Sequence, residues 1–296
     1  MTSKTVLVVG DVLTDTVVRL HSPLAVGTDA PATITDTPGG QGANVARWLL
    51  RAGVKSVRLL ASISSADPIN HAVQLRAAGV EAEFMFVDAP VSRIVVVVDA
   101  NGNDRSFLTQ RGAAAQLDVV AADAVNLDHV KWCHVSGYLL ASHAGRQCYA
   151  RLVDRCRALG IPISVDPASV AEILALGVPT FRALLNGVDV LVPNEAEART
   201  LSGETEPGAT ALSLQSQASV VAVTCGPAGV VASSRATGPI RVPAMSALVV
   251  DPIGAGDAFA AGLIAGLVNA APLIDAIQAG VRLAGSAVSM LGAAPR

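Results

Sequence analysis

The sequence predicts a three-layer α/β protein, in which helices flank a mostly parallel central sheet and a small β-sheet forms a lid. Apolar residues make up 51% of the 296-residue chain and aromatic residues only 3%. The core must therefore be built from Ala, Val and Leu, which suits strands buried on both faces. After residue 118, strand-like and helix-like segments alternate as in βαβ units. The short strands within 12–38 and 84–112 do not fit this alternation, so we assign them to the lid of a single domain spanning residues 1–296.

The first part of the chain opens on a buried strand. Residues 5–9 are a continuous apolar run, and the many turn formers in 12–38 favour short exposed strands over a helix. Further strands are predicted at 57–62, 84–87, 92–99 and 104–108, and helices at 42–52 and 68–78. The turn at 100–102 makes the last two strands a hairpin.

The rest of the chain follows the regular alternation. The predicted strands are 132–135, 163–165, 188–192 and 220–224, and the predicted helices are 145–159, 168–176, 195–202, 209–217, 255–269 and 272–291. Parallel strands joined in this way bring their carboxyl ends to one edge of the sheet, where open α/β folds bind ligands.

Charge and composition exclude several classes of partner. The net charge is −3 and the chain has no extended basic field, so we expect neither nucleic acid nor anionic membranes as partners. No signal peptide is evident, no apolar run reaches the ~20 residues that a bilayer requires, and the four cysteines lack metal-ligand spacing. We therefore expect a soluble cytoplasmic protein. A P-loop, a GxGxxG after the first strand, GxSxG and HExxH are all absent from the sequence.

The most informative segment is residues 249–259, where an apolar run ends at Pro252 and a Gly-Ala-Gly turn precedes an apolar helix. The amides of Ala255, Gly256 and Asp257 would then point out of the helix start and form an anion site, with the Asp257 carboxylate beside it. A carboxylate there suits phosphoryl transfer, in which it takes the proton of the acceptor. The ordinary alternative is a capped helix after a glycine turn.

Two features near the amino terminus are suited to a polyhydroxylated substrate. Gly39 and Gly40 permit close backbone approach ahead of a helix, where Gln41 and Asn44 offer amide groups to hydroxyls. Asp15 follows the first strand, where its carboxylate could bind vicinal hydroxyls. Structural turns would explain the same residues.

Two later loops could serve a nucleotide. Asn194 and Glu197 follow a strand and could hold Mg²⁺ directly or through water, although the same pair makes a capping box. Thr224, Gly226 and Gly229 form a glycine turn that could fold over a nucleotide. On the lid, three arginines could reach a charged substrate or simply lie at the surface: Arg93, Arg105 and Arg111.

Taken in order and spacing, these motifs resemble those of the ribokinase-like (PfkB) carbohydrate kinases, along essentially the whole chain. The resemblance implies the ribokinase-like fold and ATP-dependent phosphorylation of a hydroxymethyl group on a sugar or nucleoside. It implies Asp257 as catalytic base, the Gly254–Asp257 amides as anion hole, and Mg²⁺ near Asn194 and Glu197. It also implies a lid that is often used for dimerisation. The implied roles of the other residues are substrate binding by Asp15, Gly39, Gly40, Gln41, Asn44 and Arg111, and nucleotide binding by Asn194, Thr224, Gly226 and Gly229.

The chain departs from the family pattern in places. Pro252 replaces the usual Thr, which removes one N–H and one hydroxyl. Ribokinases proper carry Lys where Gln41 stands, and an acid near His134 to Gly137, so ribose specificity is not expected. Asp251 and Ile253 mark a possible monovalent-cation (K⁺) site. The sequence leaves three functions open: a sugar kinase, a nucleoside kinase of the same fold, and a catalytically silent sugar-binding protein.

Overall fold

A computed structural model of the protein describes residues 4–101 and 105–295. Within these ranges the strands are β1 Thr5–Val9, β2 Leu13–Leu20, β3 Ala32–Gly39, β4 Ser56–Ser64, β5 Glu81–Val87, β6 Arg93–Val98, β7 Arg105–Gln110, β8 Val130–Ser136, β9 Ile163–Asp166, β10 Val188–Leu191, β11 Ala218–Thr224, β12 Val230–Ser234 and β13 Thr237–Val242. The helices are α1 Gln41–Arg51, α2 His71–Ala77, α3 Val119–Ala124, α4 His143–Ala158, α5 Val170–Leu176, α6 Val178–Leu184, α7 Glu195–Ser202, α8 Pro207–Ser213, α9 Ala255–Val268 and α10 Leu273–Val288.

The described strands form two sheets. The large sheet has the order β13-β12-β11-β10-β9-β8-β1-β4-β5, and the small sheet has the order β3-β2-β6-β7. The large sheet is parallel from β11 through β5, and β12 and β13 extend it in antiparallel fashion. The mostly parallel α/β architecture predicted from the sequence is confirmed.

Side-chain alternation along the strands divides the core into two layers. On β1, Val6 and Val8 pack in the cluster that contains α1, α9 and α10, whereas Leu7 and Val9 pack in the cluster that contains α4 and α7. A strand places successive side chains on opposite faces, so a continuous apolar strand supplies both layers at once. This is the three-layer arrangement.

The small sheet joins residues 13–39 to residues 93–110, but one predicted part of the lid lies elsewhere. Residues 84–87 belong to β5, which pairs in parallel with β4 at the edge of the large sheet. Ala82 and Phe84 pack on one core layer and Met85 on the other. This two-sided packing explains why the strand joins the large sheet, and the assignment of 84–87 to the lid was wrong.

Several element boundaries also differ from the prediction. The second helix begins at His71 rather than residue 68, with Asn70 before it in a left-handed conformation, φ 53°. The sequence patterns did not indicate α3, α6, β12 or β13, each of which is only five to seven residues long. No helix in the described residues is long and apolar enough to cross a bilayer.

Candidate active site

The amino terminus of α9 has the geometry of an anion site. Gly254 precedes the helix with φ 82°, and no side chain caps the helix. The first N–H groups of a helix have no partner within it, so the amides of Gly256 and Asp257 remain available to a ligand. A Cβ on Gly254 would lie 2.0 Å from the Ala293 carbonyl oxygen, whereas a Cβ on Gly256 would have nothing within 4 Å. The turn therefore needs glycine at 254, and the space beside Gly256 is open.

Asp257 is half-buried in the first turn of α9, where Asn44 holds it. The Asn44 Nδ2 donates a hydrogen bond to Asp257 Oδ2 at 2.9 Å, which links the first turn of α1 to that of α9. Burial raises the pKa of Asp257 well above its usual range, with a further contribution from the negative charge of Asp166. A raised pKa and a fixed orientation are properties of a general base.

Two acids that the sequence analysis did not single out complete the centre of the site. Asp11 follows β1, and its Oδ1 accepts the Gly42 N–H at 3.2 Å and the Ser136 hydroxyl at 3.4 Å. Asp166 ends β9, and its Oδ1 accepts the Ala168 N–H at 2.9 Å. Both stand at the carboxyl ends of buried parallel strands. That position was the signal available in the sequence.

These carboxyl groups raise one another's pKa. Burial raises the pKa of Asp15 to about 7, with help from the charge of Asp11. Burial likewise raises the pKa of Asp166 to about 6. It raises the pKa of Glu197 to about 8, and the charge of Asp166 contributes. The structure thus brings Asp15, Asp166, Glu197 and Asp257 into one acidic site.

The glycine turn before α1 packs against Asp11 and Asp15 of this acidic site. Gly40 has φ 105°, and a Cβ there would lie 2.5 Å from the Asp11 carbonyl oxygen. A Cβ on Gly39 would lie 2.2 Å from Asp15 Oδ2, so the Asp15 carboxylate packs directly on that glycine. Gln41 accepts a hydrogen bond from the Ser136 hydroxyl and also bonds to Asp166. Its amide is therefore already engaged within the protein.

The three arginines predicted on the lid differ in their contacts. Arg93 pairs with Asp36 at 3.1 Å on the small sheet, away from these acids. The side chain of Arg105 lies outside the described residues. Arg111 follows β7 and lies over the Tyr138 ring, with its Cζ 3.9 Å from the ring centroid. It also pairs with Glu172 at 3.0 Å. Of Arg93 and Arg111, only Arg111 therefore reaches the site.

The loops after β10 and β11 lie side by side. Asn194 forms a bridge with Thr224, and Thr224 N–H donates to the Pro193 carbonyl at 2.9 Å. Gly226 and Gly229 have φ 53° and 90°, and a Cβ on Gly226 would meet nothing within 4 Å. The predicted nucleotide residues are thus neighbours, beside open space.

Asn194 and Glu197 make the capping box that was the ordinary explanation for their spacing. Glu197 N–H donates to Asn194 Oδ1 at 2.9 Å, and the two Glu197 oxygens accept from Asn194 N at 2.9 Å and Nδ2 at 2.6 Å. Within the described residues no three acidic, histidine or cysteine side chains converge as metal ligands. Oxygen donors and two neighbouring acids, Glu197 and Asp166, nevertheless suit Mg²⁺ held largely through water.

The Asp251 carboxylate ties the start of the anion turn to the carboxyl-terminal segment. Its Oδ1 accepts the Ile253 N–H at 3.1 Å, and its Oδ2 accepts the Gly292 N–H at 3.3 Å. Trp48 Nε1 donates to the Ala293 carbonyl at 2.9 Å. These contacts hold residues 292–293 against Gly254.

One cavity lies away from these acids. It measures about 320 Å³ and opens between the carboxyl-terminal half of α9 and α10, beside Gly262, Gly266, Arg282 and Leu283. No acid lines it. We therefore take the amino terminus of α9 as the candidate active site.

Comparison with known proteins identifies relatives over most of the chain. The family model described as "pfkB family carbohydrate kinase" matches residues 3–295. A fructokinase of Escherichia coli is 31% identical over 240 residues, which cover 78% of this chain and 76% of that protein. A fructokinase of Klebsiella pneumoniae is 29% identical over 250 residues, covering 81% of this chain and 80% of that protein.

Solved structures agree on the fold. A probable sugar kinase from Rhizobium etli has a TM-score of 0.86 at 22% identity, covering 100% of this chain and 96% of its own. The adenosine kinase of Sinorhizobium meliloti has a TM-score of 0.85 at 21% identity, covering 99% and 96%. These neighbours are ribokinase-like, and the predicted fold family is confirmed.

Proposed function

Because the chain belongs to the pfkB family of carbohydrate kinases, we propose that it transfers the γ-phosphoryl group of ATP to a hydroxymethyl group of a sugar or sugar derivative. The observation that carries the proposal is the position of Asp257. Its carboxylate lies at the uncapped amino terminus of α9, and Asn44 fixes its orientation.

Asp257 is the general base of this reaction. It takes the proton of the acceptor hydroxyl while the hydroxyl oxygen forms a bond to the γ-phosphorus and the bond to the β-phosphate oxygen breaks. The amides of Gly254, Ala255, Gly256 and Asp257 bind the charge on the transferring group, which a helix amino terminus favours. The raised pKa makes the Asp257 carboxylate a stronger base than an exposed aspartate, which favours proton abstraction.

The sugar lies between the small sheet and α1. Asp15 accepts hydrogen bonds from its hydroxyls, Gly39 and Gly40 allow its close approach, and Arg111 donates from the other side. Asn44 and Gln41 act mainly by positioning, because Asn44 holds Asp257 and Gln41 bonds to Ser136. The small sheet, residues 13–39 and 93–110, serves as the lid.

ATP lies along the loops after β10 and β11, on Asn194, Thr224, Gly226 and Gly229. When bound, Mg²⁺ neutralises phosphate charge, and Glu197 and Asn194 hold it through water. Asp251 and Ile253 mark a monovalent-cation (K⁺) site, for which the Asp251 carboxylate supplies the negative charge. A cytoplasmic location fits an ATP-dependent reaction and the four free cysteines of the described chain.

A homodimer through the lid is part of the proposal. Ile34 and Leu108 are 64% and 61% exposed, and strand alternation places them with Val95 and Val97 on one face of the small sheet. An exposed apolar face on adjacent strands suits burial against a second copy. Sedimentation of the wild type and of Leu108→Glu would test this, since the variant should dissociate.

A coupled assay of ADP release over a panel of pentoses, hexoses, keto-acids and nucleosides tests the activity. Sugar-dependent turnover is expected. Nucleoside turnover without sugar turnover would favour the nucleoside kinase, which needs a shelf for its base. The Tyr138 ring, already covered by Arg111, does not offer one. Ligand binding without turnover would favour the silent sugar-binding protein.

A further inference from the structure

Glu172 pairs with Arg111, the arginine that we place beside the sugar. This acid lies in the first turn of α5, and its Oε1 accepts from Arg111 Nη2 at 3.0 Å. Arg111 Nη1 lies 3.8 Å from Asp11 Oδ2. The guanidinium charge therefore faces two carboxylates and the face of the Tyr138 ring.

Two donors of Arg111 remain for a ligand. Its Nε and Nη1 are buried and make no hydrogen bond. An unsatisfied buried N–H costs free energy, so an oxygen acceptor that reaches these two atoms is favoured. A hydroxyl supplies such an oxygen and carries no charge.

The surroundings are strongly acidic. In the part of the chain described, Arg111 is the one cation whose charge lowers the pKa of any carboxyl group among Asp11, Asp15, Asp166, Glu197 and Asp257. The three lysines lie at the amino ends of β1, β4 and β8, on the opposite edge of the sheet from the site. An anionic acceptor would add a negative charge to a group of acids whose charges already raise one another's pKa, and the nearby arginine is already paired.

We propose that the acceptor is an uncharged polyhydroxy compound, and that Glu172 determines this preference by neutralising Arg111. The inference rests on the proposed phosphotransfer and adds the charge class of its substrate. Glu172 acts through Arg111 and is a specificity-determining residue rather than a catalytic one.

The test compares neutral sugars with their acids in matched pairs: D-ribose with D-ribonate, D-glucose with D-gluconate, and D-fructose with 2-keto-D-gluconate. For the pair with highest turnover, wild-type kcat/KM should favour the neutral member at least ~10-fold, because like charges oppose binding of the acid. Glu172→Gln should narrow that ratio ~10-fold or more, mainly through a lower KM for the acid. Glu83→Gln, which removes the acid of the Arg58–Glu83 pair elsewhere, should leave the ratio unchanged.

A wild-type preference for the acid would overturn the proposal, and so would an unchanged ratio in a folded Glu172→Gln. A measurement that needs no variant is the wild-type ratio at 20 and 300 mM salt, which should narrow as the acidic site is screened. Calorimetric measurement of binding for the same pairs distinguishes failure of the charge-class proposal from failure of the proposed phosphotransfer. Neutral sugars that bind without turnover would refute phosphotransfer and support the charge class, whereas turnover of the acid alone would do the reverse.

Discussion

Asp15→Asn should increase the free energy of unfolding and raise the KM for the sugar. Burial and the charge of Asp11 raise the pKa of Asp15 from 3.8 to about 7. The folded state therefore binds this proton more tightly than the unfolded chain does, and ionisation of Asp15 costs stability progressively as pH rises from about 4 through 7. Asparagine carries no charge and avoids that cost.

The magnitude follows from the shift. About three pKa units correspond to roughly 4 kcal/mol at pH 8, and partial exposure of Asp15 to water reduces this to about 2 kcal/mol. Loss of a charge-assisted hydrogen bond to a sugar hydroxyl costs roughly 1.5–3 kcal/mol, which is about a 10–100-fold rise in KM. Stability and function should therefore change in opposite directions.

Denaturant unfolding of Asp15→Asn and wild type at pH 5 and pH 8 measures the first effect, and steady-state kinetics measures the second. The gain in free energy of unfolding should be larger at pH 8 than at pH 5. The exposed Asp88, substituted by Asn, is the matched control and should show no such pH-dependent gain. A stability change that does not grow with pH, or an unaltered KM, would refute the reasoning.

Four further outcomes are expected. Gly39→Ala should displace the Asp15 carboxylate and raise the sugar KM about 10-fold or more, whereas Gly238→Ala, whose Cβ meets nothing within 4 Å, should not; equal KM values would contradict this. Gly254→Ala should destabilise the fold by several kcal/mol, ~3 or more, through its positive φ and the clash with Ala293. Gly256→Ala should stay folded and lose turnover if the phosphoryl group occupies the open space; normal melting of the first variant or full turnover of the second would count against the anion turn. Because burial raises the pKa of Asp257 above 3.8 and the base must be ionised, kcat/KM should rise with pH on an acidic limb whose midpoint lies above 3.8. A midpoint at or below that value would argue against it.

Much of this architecture could be predicted because its signals are local. Continuous apolar runs such as residues 5–9 predict buried parallel strands, and glycine turns ahead of apolar helices predicted the starts of α1 and α9. Asp257 and Asn44 were selected from their own motifs. Their 2.9 Å contact joins residues 213 positions apart, and no local pattern contains such a distance.

The wrong and the missed predictions concern features that depend on contacts between distant parts of the chain. Residues 84–87 were predicted to be a lid strand because a strand pattern does not indicate which sheet the strand joins. In the structure these residues pair with β4 in the large sheet. Asp11, Asp166, Tyr138 and Glu172 each follow or flank an ordinary element. They are candidate site residues only because the fold brings them to the sheet edge near Arg111 and Asp257. Electrostatic coupling among them depends on burial, which the sequence alone does not give.

The central claim is that Asp257 takes the proton of the acceptor while the amide turn before it binds the phosphoryl group. Asp257→Asn keeps an oxygen to accept from Asn44 and removes only the base, so the most direct measurement is kcat of this variant beside its affinity for ATP. The account predicts that kcat falls ~10²–10⁴-fold with nucleotide affinity within a few-fold of wild type. A kcat within a few-fold of wild type would contradict it.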